Sequence, residues 1–258
     1  MESKLHSVPG TGWRLPATQP ASHAGGASGL RTRRPSPTTA QHDYELTRQR
    51  FASPAAASRY ATRHGAKDWR NRRELALILH AFSDLPAGSQ VLDLPCGAGR
   101  AAIALAGQGY AVEAADAAAD MVEVTRRIAA EHGVGSIQFS VRDVLATGLP
   151  DGVFDAVLCN RLLHHYRSAG LRTQVLRELR RVSRGPIVAF YFLRTPLSWL
   201  SFDLKNRIKG KRPADRIPIT RGQLEAEAAA AGLRVRSILR VRALLSPQCY
   251  VILDPLDE

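Results

Sequence analysis

The segment Val91-Leu92-Asp93-Leu94-Pro95-Cys96-Gly97-Ala98-Gly99-Arg100 sets an acid, a thiol and two glycines between an apolar run and a helical stretch over residues 100–108. That order is strand, tight loop and helix start, which presents backbone amides and a helix N-terminus to a nucleotide-like ligand. Gly97 and Gly99 let the backbone approach the ligand and take turn angles that a side chain would forbid. By spacing alone, residues 97–102 also meet the loose dinucleotide fingerprint, which is a weak signal. The acid separates the two readings: a carboxylate at Asp93 repels a pyrophosphate and suits a ligand carrying an ammonium and a sulfonium. Asp116 follows a second apolar run and precedes a helix starting near Ala118. An acid there accepts from both ribose hydroxyls, or else caps the helix. Asp143, after a third run, either accepts from an adenine amino group or is a turn acid paired with Arg142.

Three acids around one ligand require strands that end at each of them. Residues 91–94, 111–115, 137–141, 154–159 and 187–192 read as strands, with helical segments between them that include 118–131 and 171–184. This alternation, with nearly continuous apolar strands, predicts an α/β fold, a Rossmann-like doubly wound sheet that is mostly parallel. Strands around 235–241 and 248–253 complete a seven-strand plan with an antiparallel last strand. Thr220 with Gln223 forms a capping-box pattern, and Gly232 is placed to end that helix. Ahead of the sheet, Leu75, Ile78, Leu79 and Phe82 make one apolar face in a helical cap over 51–85. Residues 1–50, rich in Ser, Thr, Pro, Gly and Ala, are expected to be a disordered tail. The core domain then spans 86–258, with a lid insertion at about 194–221.

Residues 91–100 resemble the first motif of class I S-adenosylmethionine-dependent methyltransferases, and residues 154–166, with Asn160, His164 and His165, resemble the fourth-strand motif of that superfamily. The resemblance implies S-adenosylmethionine as cofactor, bound by Asp93, Cys96, Gly97, Gly99, Asp116, Met121, Asp143, Val144 and Asn160. Asp93 would act indirectly, orienting loop amides or water near the methionine end, and Arg73, on the helix before the core, either pairs with the cofactor's carboxylate or is a solvated arginine next to Arg72. Pro95 departs from the pattern: it stands where the family usually has glycine, and it removes an amide donor. Methyl transfer is an in-line displacement governed mainly by positioning. A hydroxyl acceptor also needs a base, for which His165 and His164 are the candidates, with a structural role as the alternative for either.

Cys96 lies in the loop and not after the fourth strand, and the chain has no Asn-Pro-Pro-aromatic tetrad, so DNA bases are not expected as acceptors. The expected acceptor is a small molecule, apolar or anionic, methylated at oxygen or nitrogen. The alternatives are a nicotinamide-dependent oxidoreductase and a non-catalytic module binding RNA or a protein partner. A formal charge of +13 favours the last only weakly, because the basic residues are mostly arginines spread through the helices without interleaved aromatics. In the insertion, Leu197, Leu200, Leu204 and Ile208 fall on one helical face widened by Trp199 and Phe202, and Lys205, Arg207, Lys209, Lys211 and Arg212 give it a basic far end, which suits a lid, transient contact of residues 195–212 with an anionic membrane, or plain core packing. No apolar run approaches the roughly 20 residues of a membrane span. The opening residues lack a signal-peptide core, and Cys96, Cys159 and Cys249 lack metal spacing, so a cytoplasmic protein with reduced thiols is expected.

Overall fold

The strands β1 (Gln90–Asp93), β2 (Ala111–Asp116), β3 (Ile137–Val141), β4 (Ala156–Cys159), β5 (Ile187–Phe192), β6 (Leu233–Arg240) and β7 (Gln248–Pro255) form one sheet in the order β3-β2-β1-β4-β5-β7-β6. This arrangement comes from a computed structural model that describes residues 39–51, 69–195, 204, 217–242 and 246–256. Pairings among the first five strands are parallel, and β7 runs antiparallel to both β5 and β6. The expected seven-strand sheet with an antiparallel last strand is therefore the observed fold. Every residue of β4 and β5 is buried, which is why those runs carry no polar alternation. Strand order reverses between β1 and β4, and such a switch point opens a crevice at the carboxyl ends of the strands.

Seven helical elements surround the sheet among the described residues: α1 (Thr39–Phe51), α2 (Trp69–Ala81), α3 (Arg100–Ala106), α4 (Ala119–Glu131), a 3-10 turn at Leu163–His165, α5 (Ala169–Val182) and α6 (Arg221–Ala230). Local chemistry sets several of their ends. Ser168 caps α5 by accepting from the Leu171 amide, and Thr220 and Gln223 form the complete capping box that starts α6. Gly232, at φ 73°, follows the last turn of α6, where a residue with a Cβ would be strained. One apolar layer packs Leu163, Val175, Leu176 and Leu179 against the sheet. The other packs Ile78, Phe82, Ala102 and Leu105 against Phe190 and Tyr250. In α2 the buried face is Leu77, Ile78 and Ala81, with Leu75 and Leu79 only half-buried, so it is rotated from the expected stripe.

The expectation of disorder over residues 1–50 needs correction at its end, because Thr39–Phe51 is helical; residues 1–38 lie outside the described residues. Tertiary docking explains the helix, since its sequence carries little apolar periodicity. Asp43 is buried and accepts from the Arg167 amide at 2.6 Å, and the Thr47 hydroxyl donates to the Asp43 carbonyl at 2.8 Å. Of the expected cap over 51–85, residues 52–68 are outside the described residues. Most of the lid insertion, including the expected basic helix, is outside them too. Its two ends are fastened together: the Arg194 amide donates to the Ile219 carbonyl at 2.9 Å, and the Ile217 amide donates to the His164 carbonyl at 2.9 Å. Among the described residues no helix is long and apolar enough to cross a membrane.

Gly99 fixes how closely α4 can approach the loop before α3. It sits at φ 73°, and a Cβ there would lie 2.3 Å from the Thr125 methyl. Gly99→Ala should therefore cost about 2–4 kcal/mol of stability, from left-handed strain plus overpacking. Denaturant unfolding checks this, and a loss below about 0.5 kcal/mol would show that the loop and α4 separate easily.

Candidate active site

Between β1 and α3 the chain makes a tight loop whose Leu94–Pro95 peptide bond is cis. The loop is held from three directions. The Cys96 amide donates to the Ala115 carbonyl at 2.8 Å, so the end of β2 anchors its start. Gly97, at φ 54°, donates its amide to Asp116 Oδ2 at 3.2 Å. The Thr125 hydroxyl, from α4, donates to the Gly97 carbonyl at 2.6 Å. Asp116 Oδ1 also accepts from the Ala118 amide at 3.0 Å. Asp116 thus secures the glycine loop and the approach to α4 together. The N-cap of α4 is Ala118, so Asp116 is not itself the helix cap. Burial pushes its carboxyl up to about 6, while the amides of Ala118, Gly97 and Ala117 oppose the shift.

Asp93 lies beneath this loop, and neither of its buried carboxylate oxygens has a hydrogen-bond partner. Burial, then the nearby charge of Asp116, push its carboxyl up to about 8; the Ala102 amide opposes this from nearby without forming a bond of good geometry. Cys96 is buried as well, and its thiol is pushed well up by burial and by the two acids, so it is not an activated nucleophile.

At the carboxyl ends of β1 to β4 the loop borders a cleft with about 830 Å³ of free space, its open mouth included. Cys96, Gly97 and Asp116 form one part of its wall, Met121, Asp143 and Val144 another, and Asn160 and His165 a third. Eight of the twelve residues expected at the site are therefore brought together. Asp143 is not paired with Arg142. It accepts from the Tyr44 hydroxyl and, through Oδ1, from the Leu145 amide at 2.9 Å. Arg142 instead turns to Glu113, with Nε 2.6 Å from Oε1, and to the Thr147 carbonyl at 3.0 Å. Burial and the Asp143 carboxylate push the Tyr44 hydroxyl up to about 12, so it serves as a donor. Asn160 Oδ1 accepts from the Tyr250 hydroxyl at 3.1 Å, which fixes the amide at the end of β4.

Four expected residues are not part of the cleft wall. Asp93 and Gly99 lie behind the loop, where they shape it. Arg73 lines a separate groove between α2 and β6, with Leu77, Ile238 and Arg240, and is not part of the cleft wall. His164 is buried, with its ring centroid 4.9 Å from Phe192 and 5.3 Å from Phe190. It packs against the aromatic sheet face, whereas His165 lines the cleft. Sequence reasoning missed Tyr44, Arg48, Thr125 and Arg161. Tyr44 and Arg48 stand four apart on α1, but no apolar stripe marks that segment as docked.

A doubly wound sheet with a glycine loop after β1 and an acid ending β2 defines a nucleotide-cofactor α/β enzyme. The family model described as a methyltransferase domain matches residues 91–185. A methyltransferase of Mycobacterium bovis is 34% identical over 137 residues, covering 49% of this chain and 67% of the relative. The ubiquinone biosynthesis O-methyltransferase of Xanthomonas axonopodis is 38% identical over 81 residues, 31% of this chain and 34% of that protein. The crystal structure of magnesium protoporphyrin IX methyltransferase from Synechocystis with bound SAH (S-adenosylhomocysteine) superposes with a TM-score of 0.64 at 17% identity, over 82% of this chain and 99% of that one. The chain belongs to the methyltransferases, and its sheet has the class I methyltransferase fold. The oxidoreductase and non-catalytic readings are not favoured by these relatives.

The Asp93 shift fixes a pH signature. Its carboxyl titrates near 3.8 when unfolded and about 8 when folded, so the folded chain keeps a proton that the unfolded chain has released. Its contribution to stability is greatest below the unfolded value and falls as pH rises through the folded one. Asp93→Asn, which carries no such proton, should gain in melting temperature relative to the unsubstituted chain between pH 5 and pH 8.5. A difference that stays constant with pH would mean that Asp93 is ionised in the fold.

Proposed function

We propose that this methyltransferase modifies a small molecule at oxygen or nitrogen, with His165 as the base that accepts the departing proton. The observation that carries this reading is the placement of His165 and Asn160 in one cleft wall at the end of β4, in the same cavity as Asp116 and the glycine loop.

The residues present suit a ligand of this kind. Asp116 accepts two backbone amides, and each of its oxygens retains a lone pair, so it can also accept ribose hydroxyls. Asp143 likewise keeps acceptor capacity beyond Tyr44 and Leu145 for an amino group on the base. Met121 and Val144 supply apolar wall, and Gly97 presents backbone without a side chain in the way. When bound, S-adenosylmethionine supplies an electrophilic methyl group on a sulfonium. The chain's own contribution is to orient the two reactants, with Asn160 fixed by Tyr250 and an unprotonated ring nitrogen of His165 taking the proton from the acceptor's hydroxyl or amine.

Asp116→Ala should weaken S-adenosylhomocysteine binding by about 1.5–3 kcal/mol, the range for a hydrogen bond to a charged group. Because burial raises the Asp116 carboxyl to about 6, affinity should also fall as pH drops through that value. Asp116→Asn should abolish that dependence, and calorimetric titration at several pH values reads both effects. Unchanged affinity in a folded Asp116→Ala protein would remove the residue from the ribose role. With an acceptor found by screening phenols, carboxylic acids and amines, His165→Ala should cut turnover by about a hundredfold while leaving cofactor affinity intact. A loss of only a few-fold would make His165 a positioning residue.

A further inference from the structure

Glu74 of α2 is fully buried, and one of its oxygens, Oε2, receives two guanidinium groups. Arg161 Nη2 lies 2.6 Å from it, and Arg100 Nη2 lies 3.3 Å from it. The three residues come from different elements: α2, the first turn of α3, and the segment directly after β4. One buried carboxylate thus ties the helix that follows the glycine loop to the end of the strand that carries Asn160.

Arg161 faces the same cleft as Asn160 and His165. Its backbone is at φ 57°, and Arg161 is the non-glycine position with positive φ among the described residues. Glycine would hold this conformation without strain, and sparsely populated angles at non-glycine residues concentrate at functional sites. The cleft is also divided by charge along the sheet. Asp116 and Asp143 end β2 and β3 on one side of β1, whereas Arg161 follows β4 on the other side. Arg142 and Arg48 also line the cleft, but on the acidic side: Arg142 is matched one-to-one by Glu113, whereas Glu74 is shared between two guanidiniums, and Arg48 belongs to α1 beside Tyr44. Arg73, the residue expected to meet a carboxylate, lies in another groove.

We propose that Arg161 is the carboxylate-binding residue of this cleft, held in place by Glu74. This rests on the reading of the cleft as the cofactor and acceptor site. The planar guanidinium pairs with a carboxylate through two parallel N–H bonds, and a buried anchor limits the freedom lost on binding. Two sources present that chemistry: the amino-acid end of the cofactor and an acidic acceptor. Glu74 acts through Arg161, as a positioning residue.

Arg161→Gly is the informative variant, because glycine suits the left-handed backbone and Glu74 keeps Arg100 as its partner. The probes are S-adenosylhomocysteine, which has the amino-acid carboxylate; 5′-methylthioadenosine, which lacks it; and benzoate added to protein saturated with S-adenosylhomocysteine. If the cofactor is the source, Arg161→Gly should lose at least about tenfold in S-adenosylhomocysteine affinity, with 5′-methylthioadenosine unchanged. If an acidic acceptor is the source, both nucleosides should bind as before and benzoate binding should be lost. In either case Arg161→Lys should fall between, and Glu74→Gln should shift the same ligand in the same direction. Equal losses for both nucleosides would overturn the proposal while leaving the nucleoside reading of the cleft intact. No change in any of the three ligands would overturn it as well.

Discussion

The carboxylate of Asp116, bonded to the Gly97 amide from one side while Thr125 bonds the Gly97 carbonyl from the other, is the constraint on which the site depends. The two glycines leave the loop little intrinsic preference for one shape. Fixed through both backbone polar groups of a single residue, it presents one surface to the cleft. Asp116 and Asp93 interact beneath the loop, and the available amides go mainly to Asp116. Like charges in a small desolvated space do not ionise together at low cost. The acid given amides stays nearer its ordinary range, and the acid without them takes up the larger shift. The two acids are alike in chemistry, and the distribution of backbone donors makes them different.

Strands β4 and β5 were legible because burial on both faces leaves an unbroken apolar run, and β1, β2 and β3 because each stops at or next to the acid or loop that the ligand needs. The capping box at Thr220 and the left-handed Gly232 were legible for the same reason, since each follows from local chemistry within a few residues. What escaped the sequence depends on partners far along the chain. Tyr44 meets Asp143 across 99 residues and Arg161 meets Glu74 across 87, and no spacing rule announces such pairs. The two adjacent histidines show the limit most clearly. They are equivalent as letters, but a 3-10 turn sends His164 into the aromatic layer and leaves His165 on the cleft.

The positive charge finds a structural account in part of the same network. Arg142 pairs with Glu113, Arg184 with Asp155, Arg181 with Glu178 and Arg236 with Asp254. Arg172 is buried against Glu227, with Nε 2.9 Å from the carboxylate, and also bonds the carbonyls of Tyr166 and Arg167. These pairs hold parts of the fold to one another, and the formal charge of +13 is the excess of basic residues that remains after every acid has been counted. Exposed pairs of this kind add little stability, whereas a buried one such as Arg172–Glu227 is costly to break from one side only.

Asp116 and Asp143, at the carboxyl ends of β2 and β3, favour a cationic sulfonium nucleoside over a pyrophosphate dinucleotide on a sheet that accommodates either. Calorimetric titration of the protein with S-adenosylmethionine, S-adenosylhomocysteine and NAD in parallel tests it most directly. Micromolar binding of the first two with no heat from NAD is the result predicted. NAD binding as tight as S-adenosylmethionine, or failure of the folded protein to bind either sulfur nucleoside, would contradict the account.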